Sequence, residues 1–289
     1  MPSFSIIGCG YTGRALVRRL IAQGASVRGF ATRVESMAGI EAAGATAGVL
    51  DLDRPVAPIE VDGQLLWYMA PPPPTGTDDP RLKRCLQALC GRPRRFVYLS
   101  TTGVYGDQAG ARVDELSPPQ PRTMRAHRRL AAESLLREWA GTHDIDWCIL
   151  RVAGIYGPGR LPIERLRQGQ PAIIPSEATP TNRIHVDDLV EACLAAATSA
   201  QAHKRIFNVA DGNDDSLTDY LQRVARIAAL PPPPLVDRET ARRTSTASSW
   251  SFLAESRRVD NHRLIDELGV RLRFADLDEG IRASLGAQG

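Results

Sequence analysis

The sequence predicts a doubly wound α/β fold built on a parallel sheet, and three observations lead there. A glycine motif, Gly8-Cys9-Gly10-Tyr11-Thr12-Gly13, follows an apolar run and opens a helical pattern. Short β-rich runs alternate with helix-like stretches through the first two thirds of the chain. Those runs are almost continuously apolar, as expected of strands covered on both faces.

Residues 4–7 (FSII) predict the first strand and 13–23 the first helix, with Leu16, Leu20 and Ile21 on one face and Arg14, Arg18 and Arg19 elsewhere. Strands at 26–30, 48–50 and 65–70 follow, with a helix over 34–43. A helix over 79–90 precedes a strand at 95–100, and one over 123–140 precedes a strand at 146–151. Beyond residue 151 the rhythm loosens into the turn-rich stretch 154–162, a short amphipathic helix and PAIIP at 171–175. RIHV (183–186) reads as a strand returning to the sheet. A helix over 187–199 comes next, with Asp187 as its N-cap. IFNVA (206–210) is a further strand, and a helix over 216–230 ends at Pro231 to Pro234. The polar, Ser/Thr-rich stretch 238–250 reads as a surface loop or lid. A dinucleotide-binding domain over 1–151, rejoined by 183–210, is thus expected beside a smaller substrate region from 152–182 and 211–289.

Composition narrows the function classes. With 43% hydrophobic and 24% charged residues the chain is ordinary globular material. No run approaches the roughly 18 apolar residues of a membrane span, and MPSFSIIGCG lacks the basic start of a signal peptide. Cys9, Cys85, Cys90, Cys148 and Cys193 are odd in number and form no CxxC. Neither a disulfide framework nor a metal site is expected, and a reducing cytoplasm is the expected setting. The net charge of +3 is too small to argue for nucleic acid. Residues 81–129, however, hold eleven Lys or Arg against three acids. They read either as solvated helix faces or as a positive potential for an anionic cofactor or substrate. The aromatics there, Phe96, Tyr98 and Tyr105, lie on or near a buried strand, which disfavours nucleic-acid binding.

The glycine motif sits in the context that gives it meaning. Gly8 allows a tight turn, Gly10 lets backbone approach a pyrophosphate, and Gly13 lets helix pack on strand. Tyr11 and Thr12 supply N–H groups at the helix start. After the second strand, Phe30-Ala31-Thr32-Arg33 offers no acid for a ribose 2′-OH. A hydroxyl and a guanidinium suit a 2′-phosphate, so NADP(H) is favoured over NAD(H).

Several later segments resemble the extended short-chain dehydrogenase/reductases, specifically the NAD(P)-dependent epimerase/dehydratase family. Asp51-Leu52 is similar to the turn that contacts adenine, and Tyr68-Met69-Ala70, with Pro71 after it, to the strand end along the cofactor. Ser100-Thr101-Thr102-Gly103-Val104-Tyr105-Gly106 resembles the Ser/Thr-rich active-site segment. Leu150-Arg151 through Tyr156-Gly157-Pro158 resembles the opening of the substrate region, Arg183 to Leu189 the IHVDD segment, and Phe207-Asn208-Val209 the FNV strand. The resemblance implies a Rossmann fold, a dinucleotide cofactor, a small-molecule substrate and a homodimer through the helices at 79–90 and 123–140.

The catalytic centre departs from the family's pattern. Members carry YxxxK followed by Ala-Glu on one helix. Aligning Ala132-Glu133 puts Arg125 in the tyrosine slot and Arg129 in the lysine slot; a shift by one gives Met124 and Arg128. The Asn that many sugar-nucleotide enzymes carry before YGP is replaced by Ala153-Gly154. The candidate catalytic set is Thr101, which polarises the substrate carbonyl in the family, with Arg125, Arg129 and Tyr105, a phenol that could stand in for the missing one. Arg125 and Arg129, four apart, share a helix face and suit an anionic substrate group or developing oxyanion. His127 lies about 200° around the helix from Arg125. His185 and Asp187 read as braces between the two regions, and the cysteines as packing residues, with Cys9 near phosphate. The function expected is an NADP(H)-dependent oxidoreductase or epimerase on a small carbonyl or sugar substrate. The alternative is a dinucleotide-binding sensor or scaffold without turnover.

Overall fold

In the computed structural model, which describes residues 3–286, β1 (Ser3–Ile7) runs into α1 (Tyr11–Ile21), and β2 (Ser26–Ala31) into α2 (Met37–Glu41). β3 (Thr46–Val49), β4 (Ile59–Glu60) and β5 (Leu65–Tyr68) precede α3 (Pro80–Ala88), and β6 (Leu89–Cys90) and β7 (Arg95–Thr101) follow it. A 3-10 turn, Thr102–Tyr105, and β8 (Arg112–Val113) lead to α4 (Met124–His143) and β9 (Trp147–Val152). Next come β10 (Gly154–Tyr156), α5 (Ile163–Arg167), β11 (Ala172–Ile173), β12 (Arg183–His185), α6 (Val186–Thr198) and β13 (Arg205–Val209). The chain closes with α7 (Leu217–Ile227), β14 (Leu235–Val236), α8 (Arg238–Thr244), α9 (Ala247–Leu253), β15 (Arg258–Val259) and α10 (Leu277–Gly286).

Seven strands form one parallel sheet in the order β13-β9-β7-β5-β1-β2-β3. The order reverses between β1 and β5, where such a sheet leaves a crevice beyond the carboxyl ends of its strands. Every residue of β5 and β9 is buried, which is why those runs are apolar without alternation. Leu16 and Leu20 of α1, with Leu189 and Cys193 of α6, pack on one face of the sheet. Leu82 and Leu86 of α3, with Leu136 and Ala140 of α4, pack on the other. A separate core of Tyr156, Leu166, Tyr220, Leu221, Val224 and Ile281 holds α5, α7 and α10 together as a second lobe.

Three expectations are corrected. RIHV does not return to the central sheet, because β12 pairs with β10 in a two-stranded sheet of its own. Both edges of β9 are already taken, by β7 and by β13, so β12 extends the chain's other path along β10. The N-cap of α6 is His185, whose Nδ1 accepts from Asp187 N at 3.1 Å, while Asp187 sits in the first turn. The stretch 238–250 is helical. Asp237 caps α8 by accepting from Thr240 N at 2.8 Å, and Thr246 caps α9 by accepting from Ser249 N at 3.1 Å. Among the described residues no helix is long and apolar enough to cross a membrane.

Candidate active site

The glycine loop is shaped by what a side chain would strike. Gly8 takes φ +83°, and a Cβ there would lie 2.4 Å from Ala70 N. A Cβ on Gly13 would lie 3.1 Å from Cys9 Sγ and 3.3 Å from Ile6 Cγ2, so α1 packs hard on β1. On Gly10 it would meet nothing nearer than Gly8 O at 4.0 Å, leaving open the space a pyrophosphate needs. α1 starts without a side-chain cap, and the N–H groups of Tyr11, Thr12 and Gly13 have no protein acceptor among the described residues. Free donors at the positive end of a helix dipole suit an anion, so this loop fits a dinucleotide. Cys9 is instead sealed into the packing, and burial pushes its thiol up to about 11.

The adenosine end carries two arginines. Thr32 and Arg33 are exposed after β2, and Arg33 has no protein partner among the described residues. Arg14 of α1 lies against α2: a Cβ on Gly39 would be 3.3 Å from its Cδ. Asp51 follows β3 and accepts from Asp53 N at 3.0 Å, with Leu52 buried beside it. Met69, Ala70 and Pro71 leave β5 next to Gly8, and Met69 N donates to Ile7 O at 2.8 Å. Tyr11 joins the loop to the turn after β10. Arg160 sits 4.2 Å from its ring centroid, and a Cβ on Gly157 would lie 2.5 Å from its hydroxyl.

A cavity of about 560 Å³ opens beyond β7 and β9, and Thr101, Arg125 and Arg129 all line it. Thr101 ends β7; its Oγ1 accepts from Gly103 N at 3.2 Å, which leaves the hydroxyl proton to donate. Arg125 is half-buried with its guanidinium 3.9 Å over the Phe252 ring of α9. Burial pulls its pKa down, and the charge of Glu255 resists that. The Nη1 of Arg129 donates to Leu99 O at 3.0 Å and Tyr98 Oη at 3.1 Å. Its Nε and Nη2 have no protein acceptor among the described residues.

Tyr105 is corrected. It is fully buried outside the cavity, and its hydroxyl donates to Asn208 Oδ1 at 2.7 Å. The 3-10 turn swings the ring under β9, 4.9 Å from the Arg151 guanidinium, and burial raises its pKa. His127 faces solvent. His185 is buried against Tyr156 and Phe274, with Nε2 3.3 Å from Ser284 Oγ, and burial lowers its pKa, which keeps it neutral.

A buried ion pair fixes one wall of the cavity. Arg151 of β9 donates through Nη2 to Glu133 Oε2 at 2.8 Å, and Ser100 donates to Glu133 Oε1. These contacts clamp α4, which carries Arg125 and Arg129, to the strands that carry Thr101. The sequence reading missed the opposite contributors: Arg160, Arg183, Tyr220, Phe252 and Arg257 also line the cavity. Glu255, the one carboxylate among the lining residues, is paired with Arg257 at 3.0 Å. The one available signal is Arg183, a charge at the head of a strand whose three residues are all buried.

The comparisons with known proteins agree with this geometry. Residues 80–210 match the NAD dependent epimerase/dehydratase family. The chain is 26% identical to protein YeeZ of Escherichia coli K12, over 96% of this chain and 97% of that one. A structure from Silicibacter pomeroyi, described as a functionally unknown conserved protein, superposes with a TM-score of 0.84 at 30% identity over the whole of both chains. The UDP-glucuronic acid 4-epimerase of Bacillus cereus, solved in complex with NAD, shares the fold at a TM-score of 0.76 and 16% identity, over 98% of this chain and 97% of that one. Residues 80–210 thus carry an NAD dependent epimerase/dehydratase domain match, set on a Rossmann-like fold of one seven-stranded parallel sheet with flanking helices.

Proposed function

We propose that the chain is an NADP(H)-dependent oxidoreductase or epimerase acting on a small anionic carbonyl or sugar substrate, in a site without YxxxK. The observation that carries this reading is the cavity beyond β7 and β9, where a free hydroxyl and two guanidiniums converge with no phenol on α4. Gly8, Gly10 and Gly13, with the N–H groups of Tyr11 and Thr12, would hold the pyrophosphate. Thr32, Arg33 and Arg14 would hold a 2′-phosphate, Asp51 and Leu52 would flank the adenine, and Met69 to Pro71 would run beside the ring. When bound, the nicotinamide supplies or accepts a hydride.

The chain's own residues do the rest. Thr101 would polarise the substrate oxygen by donating a hydrogen bond from its hydroxyl, without giving up the proton. Arg125 and Arg129 stabilise negative charge developing there, since a guanidinium stays protonated and is a donor only. With Tyr105 bonded to Asn208 outside the cavity, the proton comes from water or from the substrate. The absence of a phenol on α4 favours a second reading, a dinucleotide-binding sensor without turnover. Oxidation of NADPH across a panel of anionic carbonyl compounds separates the two. Turnover that falls at least about tenfold in Thr101→Ala supports the enzyme; no turnover with any of them, alongside intact NADPH binding, supports the sensor.

A further inference from the structure

Arg183 is 6% exposed and lines the cavity, yet no carboxylate lies within ion-pair distance of it among the described residues. Its Nη2 donates to Thr181 Oγ1 at 2.6 Å and Ser216 O at 3.3 Å, and its Nη1 donates to Asp215 O at 3.4 Å. All three acceptors are uncharged, and a guanidinium has five donors, so two N–H groups lack a protein acceptor. The face of Tyr220 lies 4.3 Å from its Cζ. The neighbouring acids Asp211 and Asp215 act on it only from beyond ion-pair distance, and Asp211 Oδ2 makes no hydrogen bond among the described residues. Asp215 pairs with Arg223 at 3.4 Å, and Asp211 Oδ1 accepts from Asn213 N at 3.0 Å.

A buried guanidinium hydrogen-bonded only to neutral oxygens, with Asp211 and Asp215 supporting it from beyond ion-pair distance, is a charge only partly compensated, which folded proteins rarely keep. Bonding Thr181, Asp215 and Ser216 would need only neutral donors. The full charge makes sense when a counter-ion enters from the cavity. Thr101 and Arg125 reach that cavity from β7 and α4, whereas Arg183 and Tyr220 reach it from β12 and α7. One bound molecule can therefore be gripped by two independent sets of elements.

We propose that Arg183, seated between Thr181 and the face of Tyr220, is a subsite for an oxyanion carried by the substrate, a carboxylate or a phosphate. The substrate class is then a carbonyl or carbinol compound whose reacting carbon meets Thr101 and Arg125 while its own oxyanion meets Arg183. This rests on the reading of the cavity as a substrate site.

The test uses cofactor-free full-length protein titrated calorimetrically with malonate, inorganic phosphate and uncharged malonamide. The expected result is saturable binding of malonate or phosphate, the tighter one naming the source of the oxyanion, with malonamide at least tenfold weaker. Arg183→Gln, which keeps amide donors for Thr181 and Ser216, should weaken the anion at least tenfold, and Arg183→Lys should restore part of it. Cooperative thermal unfolding of each variant shows that it is folded, and a wild-type melting point raised by the anion but not by malonamide gives a readout needing no variant. Equal anion affinity in wild type and Arg183→Gln overturns the subsite, as does no anion binding to wild type. Anion binding without NADPH turnover leaves the subsite standing and removes the enzyme. Turnover of anionic carbonyls that Arg183→Gln leaves unchanged removes the subsite and leaves the enzyme standing.

Discussion

At the level of single residues, position in a motif and orientation in space separate sharply. Thr101 and Tyr105 stand four apart in one segment, but the strand end turns Thr101 into the cavity and the 3-10 turn buries Tyr105 against Arg151 and Asn208. Nothing in the local sequence distinguishes the two, because the distinction depends on β9 and β13 closing over the ring. Arg125→Ala should lower turnover at least about tenfold with little change in NADPH affinity, since the lost interaction belongs to the transition state. Tyr105→Phe should leave turnover intact and cost about 1 kcal/mol of stability, the worth of one buried hydrogen bond; steady-state kinetics and denaturant unfolding check both. Asp211 offers a pH test. Burial pushes its carboxyl up from 3.8 to about 6, so between those values the native state binds more protons than the unfolded chain. Native stability attributable to this group is therefore lost as pH rises through that window. Asp211→Asn keeps an acceptor for Asn213 N and removes the titration. Its stability relative to wild type should rise by about 1–3 kcal/mol from pH 4 to pH 7, read by urea unfolding at each pH. A difference that stays flat would show that the carboxyl does not titrate there.

Elements were most legible where burial leaves a continuous mark. β5 and β9 are covered on both faces, so their apolar runs announced them. α1 shows the periodicity of a helix with one covered face. Two elements escaped for physical reasons. α8 and α9 are short and polar, and only the capping side chains of Asp237 and Thr246 mark where they begin. β12 looked like a sheet strand because Ile184 and Val186 are buried, but its partner is set by long-range competition for the edges of β9. The clamp between α4 and β9 gives the element-scale prediction. Glu133 and Arg151 have almost no exposed side-chain surface. Removing one partner leaves a bare buried charge, so Glu133→Ala should cost about 3–5 kcal/mol in chemical unfolding. Combining Glu133→Leu with Arg151→Met should recover most of that loss, because the second charge leaves with the first. A double variant no more stable than the single one would mean that the pair contributes through packing alone.

The whole molecule joins a dinucleotide-binding sheet to a smaller lobe, and the cavity draws on both. The sheet's half was written in local sequence: glycines, strand ends and the acid-free end of β2. The lobe's half was not, because Arg160, Arg183, Tyr220 and Phe252 come from separate segments that only the tertiary fold assembles. The charge of the basic stretch is likewise partly consumed within the fold, with Arg95 paired to Asp146 at 2.6 Å and Arg81 to Asp53 at 2.5 Å. Of the remainder, Arg125 and Arg129 line the cavity. Parallel titration of NADPH and NADH into wild type and Arg33→Glu tests most directly whether the glycine-loop cradle holds a dinucleotide bearing a 2′-phosphate, as proposed. Wild type should bind NADPH about ten- to a hundredfold more tightly, the worth of a charge-assisted contact of roughly 1.5–3 kcal/mol, and Arg33→Glu should lose that preference. Equal affinities in wild type, or tighter binding of NADH, would contradict it.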